Sequence, residues 1–117
     1  NIPLKKPKIL LLGVSYKKNI DDDRESPIFE IMKILRKKKI SFYYSDPYFK
    51  KIRKGRQNKI MMKSIKINKS NLKKFDAVIL VSDHDLFDYK LIANNSKIIF
   101  DTRGRYKEYN YKNIIYC

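Results

Sequence analysis

Four short runs hold most of the side chains that could do chemistry. The first is Gly13-Val14-Ser15-Tyr16-Lys17-Lys18, an apolar approach to a glycine followed by two ammonium groups. A dinucleotide fingerprint needs the G-x-G-x-x-G spacing, whose glycines let backbone touch a pyrophosphate. Gly13 stands alone, so dinucleotide binding of that kind is not expected here. Lys17 and Lys18 read either as charge partners for a phosphate or as solvated surface lysines. The second run is Asp21-Asp22-Asp23-Arg24-Glu25-Ser26-Pro27. Its acids suit a helix entry, where carboxylates meet the positive end of the dipole. They also suit holding the Arg24 guanidinium so that its fork points at a ligand oxygen. A metal site is disfavoured, because consecutive aspartates alternate in direction and no histidine lies beside them. His84, in Ser82-Asp83-His84-Asp85, is the sole histidine and reads as a general base or as a structural hydrogen-bonder. Asp101-Thr102-Arg103-Gly104 offers a guanidinium in a turn, either as a phosphate or base contact or as a surface arginine.

The elements that position these runs follow from the apolar pattern. Lys8 to Val14 is a continuous apolar run closed by glycine, the pattern of a strand buried on both faces. Ser26-Pro27 opens a helix as N-cap and first helical residue. Its stripe is Ile28, Ile31, Met32 and Leu35, and Arg36 to Lys39 close it favourably for the dipole. Further strands are expected over 40–45, 76–82, 97–100 and 114–116, with an extra one over 62–67. Single helical segments are expected over 70–74 and 86–94. Strands alternating with helices predict an α/β fold, a Rossmann-like three-layer αβα domain with a mostly parallel sheet. Ligands of such sheets sit beyond the carboxyl ends of the strands. The polar stretches 16–24, 82–85 and 101–105 all fall there.

Composition sets outer bounds. A chain of 117 residues with 43 % hydrophobic residues makes one domain with one core. Residues 1–7 read as a tether to domains upstream, and 8–117 as the folded domain. No apolar run approaches the ~20 residues of a membrane span, so no membrane partner is expected. The one cysteine, Cys117, makes no disulfide framework, and a cytoplasmic setting is expected. The net charge of +16 fits an anionic partner, or a base-composition bias rich in Lys, Asn, Ile and Tyr. A nucleic-acid-binding α/β domain is the alternative reading, although no nucleic-acid motif supports it.

Taken in order, these runs resemble the C-terminal, UDP-binding domain of the UDP-glucose/GDP-mannose dehydrogenase family. The matching stretches are Lys8 to Lys18, Asp22 to Pro27, Ser45 to Tyr48, Phe75 to Leu80, Ser82 to Phe87 and Phe100 to Gly104. Arg-Glu-Ser-Pro, Ser-Asp-His-Asp and Asp-Thr-Arg-Gly lean toward the branch acting on UDP-N-acetyl-hexosamines. The resemblance implies that an upstream domain binds NAD and that a central region carries the nucleophilic cysteine and mediates dimerisation. It implies oxidation of a sugar C6 alcohol to a carboxylate by two hydride transfers, through a thiohemiacetal on that cysteine, in polysaccharide biosynthesis. It implies a homodimer or higher oligomer, with a UDP-sugar as ligand. By the same likeness Tyr16, Lys17 and Arg103 contact substrate, and Arg24 reaches toward the cofactor from a domain interface. Asp46 stands where a dinucleotide fold holds ribose, but no such role is assigned to it. Cys117 is not expected to be the nucleophile, and the 117 residues alone are expected to be inactive.

Overall fold

The computed structural model describes residues 7–14, 27–49, 51–53 and 61–117. Five parallel strands form the main sheet in the order β2-β1-β5-β6-β7. They are β1 Lys8–Leu12, β2 Ser41–Ser45, β5 Ala77–Leu80, β6 Ile99–Asp101 and β7 Ile114–Tyr116. β3 Lys51–Arg53 and β4 Met61–Lys63 pair antiparallel as a separate two-stranded sheet. Helices α1 Pro27–Lys37, α2 Lys69–Leu72 and α3 Tyr89–Asn95 complete the order.

β1 explains why the sheet is covered on both faces. Its side chains alternate, so Leu10 and Leu12 join one cluster while Leu11 joins another. The first cluster packs beneath α2 and α3 through Leu72, Ile92 and Ala93. The second packs beneath α1 through Ile28, Phe29, Met32 and Leu35. The helical stripe expected from spacing is therefore the buried face of α1, with Phe29 added and Ile31 only partly buried. The result is the expected three-layer α/β arrangement, with every strand of the main sheet parallel.

Several element limits differ from the sequence reading. β1 stops at Leu12 because Gly13 turns to φ +91. Of the strand expected over 62–67, only its first part is a strand, as β4. Residues 64–67 are irregular, yet the Ile65 N–H donates to Tyr44 O at 2.9 Å and so covers the outer edge of β2. α2 and α3 start after Asn68 and Asp88, whose side chains accept from Asn71 N at 2.7 Å and Leu91 N at 3.1 Å. The Ser26 cap and the tether residues 1–6 lie outside the described residues.

α1 ends in a left-handed turn without a glycine. Lys39 has φ 60; its N–H donates to Arg36 O at 3.0 Å, and the Ile40 N–H donates to Leu35 O at 2.9 Å. This is the Schellman pairing, which favours glycine at the left-handed position. A lysine there holds its Cβ against steric resistance that glycine lacks. Relief of the left-handed strain, less the freedom that glycine adds to the unfolded chain, gives an expected gain of ~0.5–1 kcal/mol for Lys39→Gly, measured by urea unfolding. Equal or lower stability would mean that glycine's greater freedom in the unfolded chain outweighs the relief.

Candidate functional site

Strand order reverses between β1 and β5, since the chain leaves β1 for β2 on one side and returns to β5 on the other. Such a switch point is where open α/β sheets hold ligands. Gly13 allows the strand ends to close together there. A Cβ on it would lie 2.6 Å from Ser82 Cβ and 2.7 Å from Ser82 O. The Gly13 N–H reaches Ser45 O at 2.9 Å, while Val81 N and Ser82 N both donate to Leu12 O, at 2.8 and 3.1 Å.

Asp46 fastens the same three strand ends. Its carboxylate is buried, and Oδ2 accepts the Val14 N–H at 2.6 Å. Oδ1 accepts from Tyr48 N at 2.7 Å and Phe49 N at 3.2 Å. His84 Nε2 lies 3.0 Å from Oδ2. A carboxylate oxygen only accepts, so the ring nitrogen donates. His84 is fully buried, with Tyr48 at 4.9 Å edge-on and Phe87 at 5.6 Å between ring centroids. Its backbone oxygen accepts the Tyr89 hydroxyl at 2.6 Å. Of its two readings, the geometry supports the structural one, because a general base must reach its substrate.

A second carboxylate shapes the loop after β6. Asp101, 1 % exposed, accepts Arg103 N at 2.9 Å and Gly104 N at 2.8 Å on Oδ1, and Tyr106 N at 2.8 Å on Oδ2. Thr102 Oγ1 donates to Leu80 O at 2.6 Å, tying this loop to the end of β5. The loop presents Arg103 outward, with its side chain 40 % exposed and Nε 3.7 Å from Asp83 Oδ1. Arg105 points inward instead. It pairs with Asp85 at 2.8 Å, donates to Asp83 O at 3.1 Å and lies 4.5 Å over the Tyr89 ring. Burial opposes its charge, but the Asp85 hydrogen bond, the Tyr89 phenol and the Asp85 and Asp83 carboxylates outweigh this and raise its pKa. Arg105 was not singled out from sequence. The signal was there in the alternation of Asp83 and Asp85 matched by Arg103 and Arg105.

Arg103 thus stands at the carboxyl end of the sheet, where the sequence put it. Tyr16, Lys17 and Arg24 lie outside the described residues. Beside the end of β2 a cavity of about 330 Å³ opens between Pro47, Ser64 and Lys66 on one side and Leu86 and Asp88 on the other. Arg103 is not among its walls. Among the described residues no group of His, Cys, Asp and Glu could hold a metal ion. A dinucleotide cradle is not found in them either. The space above Gly13 is filled by Ser82, and the Asp46 carboxylate is taken up by internal N–H donors rather than presented to a ribose.

A parallel sheet with a glycine at the switch point and an arginine beyond it defines a Rossmann-like type of α/β domain. The chain belongs to the UDP-glucose/GDP-mannose dehydrogenase family; residues 10–108 match its UDP binding domain. An NDP-N-acetyl-D-galactosaminuronic acid dehydrogenase of Ralstonia nicotianae is 32 % identical over 103 residues, covering 86 % of this chain and 23 % of that protein. A UDP-N-acetyl-D-mannosamine dehydrogenase of Methanococcus vannielii is 38 % identical over 48 residues, 41 % of this chain and 11 % of that protein. Among solved structures, a UDP-D-ManNAc dehydrogenase from Pyrococcus horikoshii superposes with a TM-score of 0.68 at 22 % identity, over 95 % of this chain and 25 % of that one. The chain thus spans about a quarter of the length of its first-named relatives. Their names carry an N-acetyl-hexosaminuronic acid and an N-acetyl-hexosamine, in line with the branch that the motifs resemble.

Two outcomes follow from the buried groups. Asp46→Asn replaces an acceptor with a donor among four N–H groups, and is expected to destabilise the chain by ~2–4 kcal/mol in urea unfolding. A loss below ~1 kcal/mol would remove Asp46 as the fastening. The second concerns alkaline pH. Burial raises the pKa of Tyr44, Tyr89 and Tyr106, so the folded chain keeps these protons longer than the unfolded one. Their contribution is full below pH ~10, and stability then falls as the unfolded chain ionises, by roughly 1 kcal/mol per pH unit per tyrosine. Part of the tyrosinate absorbance rise should therefore coincide with loss of the folded circular-dichroism signal. Titration of all 9 tyrosines as one group in a folded chain would contradict this.

Proposed function

We propose that this chain is the UDP-sugar-binding part of an NAD-dependent nucleotide-sugar 6-dehydrogenase, which oxidises the C6 alcohol of a UDP-N-acetyl-hexosamine or UDP-glucose to a carboxylate. The observation that carries this reading is Arg103, exposed beyond β6 and steadied from behind by Asp83 and Asp101. In this reading Lys17 and Arg103 pair with diphosphate oxygens and Tyr16 lies along the sugar or nucleotide. Charge-assisted bonds from a guanidinium fork suit a diphosphate. The work of this domain is non-covalent: binding the remote UDP orients C6 for chemistry performed elsewhere.

NAD belongs mainly to an upstream domain in this proposal, with Arg24 reaching toward it across the interface. Residues 1–7 are the tether and 8–117 the binding domain. The nucleophilic cysteine lies upstream as well, and the 117 residues alone do not turn over. The whole enzyme is a homodimer or higher oligomer working in the cytoplasm, in polysaccharide biosynthesis. Support comes from the family match and from relatives named as dehydrogenases of N-acetyl-hexosamine nucleotides.

Calorimetry with UDP tests the binding role. Arg103→Ala is expected to weaken UDP binding by ~1–3 kcal/mol. Unchanged affinity would take Arg103 out of the site, and absence of UDP binding by the parent chain would remove the fragment's binding role. If the chain instead bound nucleic acid with a steep salt dependence and ignored UDP, the alternative reading would stand.

A further inference from the structure

The lysines are scattered in sequence, but the fold collects a set of them. In a parallel sheet with helical crossovers, each helix-to-strand junction falls at the amino ends of the strands. α1 runs out through Arg36, Lys37, Lys38 and Lys39, all exposed, before β2. Exposed Lys73 and Lys74 precede β5, and exposed Lys97 precedes β6. Lys112 precedes β7, and Lys8 is the first residue of β1. Acids lie mostly at the other end: Asp46, Asp83, Asp85 and Asp101 stand at or beyond the carboxyl ends of β2, β5 and β6. Among the described residues Asp76 is the carboxylate at the amino-end junctions. Its Oδ2 accepts the Lys8 backbone N–H at 2.7 Å and its Oδ1 is 3.7 Å from Lys97 Nζ. The amino edge therefore carries a cationic field that concentrates anions.

A cavity of about 210 Å³ opens in this edge, lined by Lys8, Tyr43, Ile65, Asn71, Lys74 and Phe75. At ~30 Å³ per water it has room for a phosphate group with a small organic body. Tyr43 and Phe75 meet edge to face at 5.6 Å. Lys8 Nζ sits 5.5 Å above the Tyr43 ring, and Lys74 Nζ lies 3.4 Å from Asn71 Oδ1. Among the described residues no carboxylate is within ion-pair distance of either ammonium. One cation thus stands over the aromatic wall, and a second, from the turn after α2, lines the same cavity.

We propose that this cavity is a second anion site, which seats a phosphate monoester carried on a small sugar or on a lipid headgroup. The Lys8 and Lys74 ammonium groups donate to the phosphate oxygens, and the Tyr43–Phe75 wall packs against the attached body. The site lies at the end of the sheet opposite Arg103 and does not depend on the UDP reading.

Amide shifts of the chain are followed by NMR at constant ionic strength, with glucose 6-phosphate, inorganic phosphate and vesicles containing phosphatidic acid as probes. Saturable shifts around Lys8, Tyr43, Asn71 and Phe75 are expected, with excess UDP failing to reverse them. Lys8→Gln with Lys74→Gln should weaken binding at least ~10-fold. Lys37→Gln with Lys38→Gln removes equal charge from the same edge and should change it less than ~2-fold. Circular dichroism checks that both variants fold. Binding of vesicles alone would assign the headgroup as the source; binding of free glucose 6-phosphate would assign the sugar. No saturable shift with any probe overturns the proposal. So does equal weakening by the two double variants, which means diffuse charge, or displacement by UDP, which places the phosphate at the nucleotide end. Failure to bind UDP with this site intact would sink the preceding proposal alone.

Discussion

A buried carboxylate surrounded by N–H groups holds the carboxyl edge of this domain in register. Asp46 leaves the end of β2, takes the Val14 N–H beyond β1, and meets His84 beyond β5. An ionised group out of water is tolerated only when its oxygens are well supplied with donors, and this one has four. Gly13 completes the arrangement by letting the β1 end approach Ser82 closer than any Cβ allows. Strand ends tied in this way form a rigid rim from which longer side chains can be presented.

Asp101 repeats the device one strand further on. Its carboxylate folds the backbone of residues 103–106 around itself, which turns Arg103 outward and leaves Arg105 clamped by Asp83 and Asp85 over Tyr89. Two arginines separated by a single residue thereby have different roles. One is a structural cation inside an aromatic and acidic shell; the other is exposed and available to an anion. The distinction matters because a guanidinium held from behind loses less freedom on binding.

The same topology sorts charge. Parallel strands joined by helices place every return turn at one edge and every departing loop at the other. Lysines at the return turns and aspartates at the departing loops then give the domain two chemically different ends, although the sequence mixes them. A high net charge read as a single number hides this polarity.

The alternation and runs of apolar residues determined a good deal alone: a parallel α/β fold, the buried stripe of α1, and Arg103 beyond a strand end. These are local patterns, because a strand buried on two faces or a helix buried on one must show its period in sequence. The family, too, was legible in the ordered runs from Lys8 to Gly104. Asp101 acts locally, on N–H groups two to five positions further on, but what Asp46, Arg105 and His84 do was decided only by tertiary structure. Val14 and His84, which meet the Asp46 carboxylate, and Asp83 and Asp85, which hold Arg105, lie beyond the ends of other strands, and Asp46 and His84 are 38 positions apart. No local period records a contact of that kind. Which lysines share a face was likewise fixed only when the strand order was, since spatial neighbours at a sheet edge are set by topology and not by spacing along the chain.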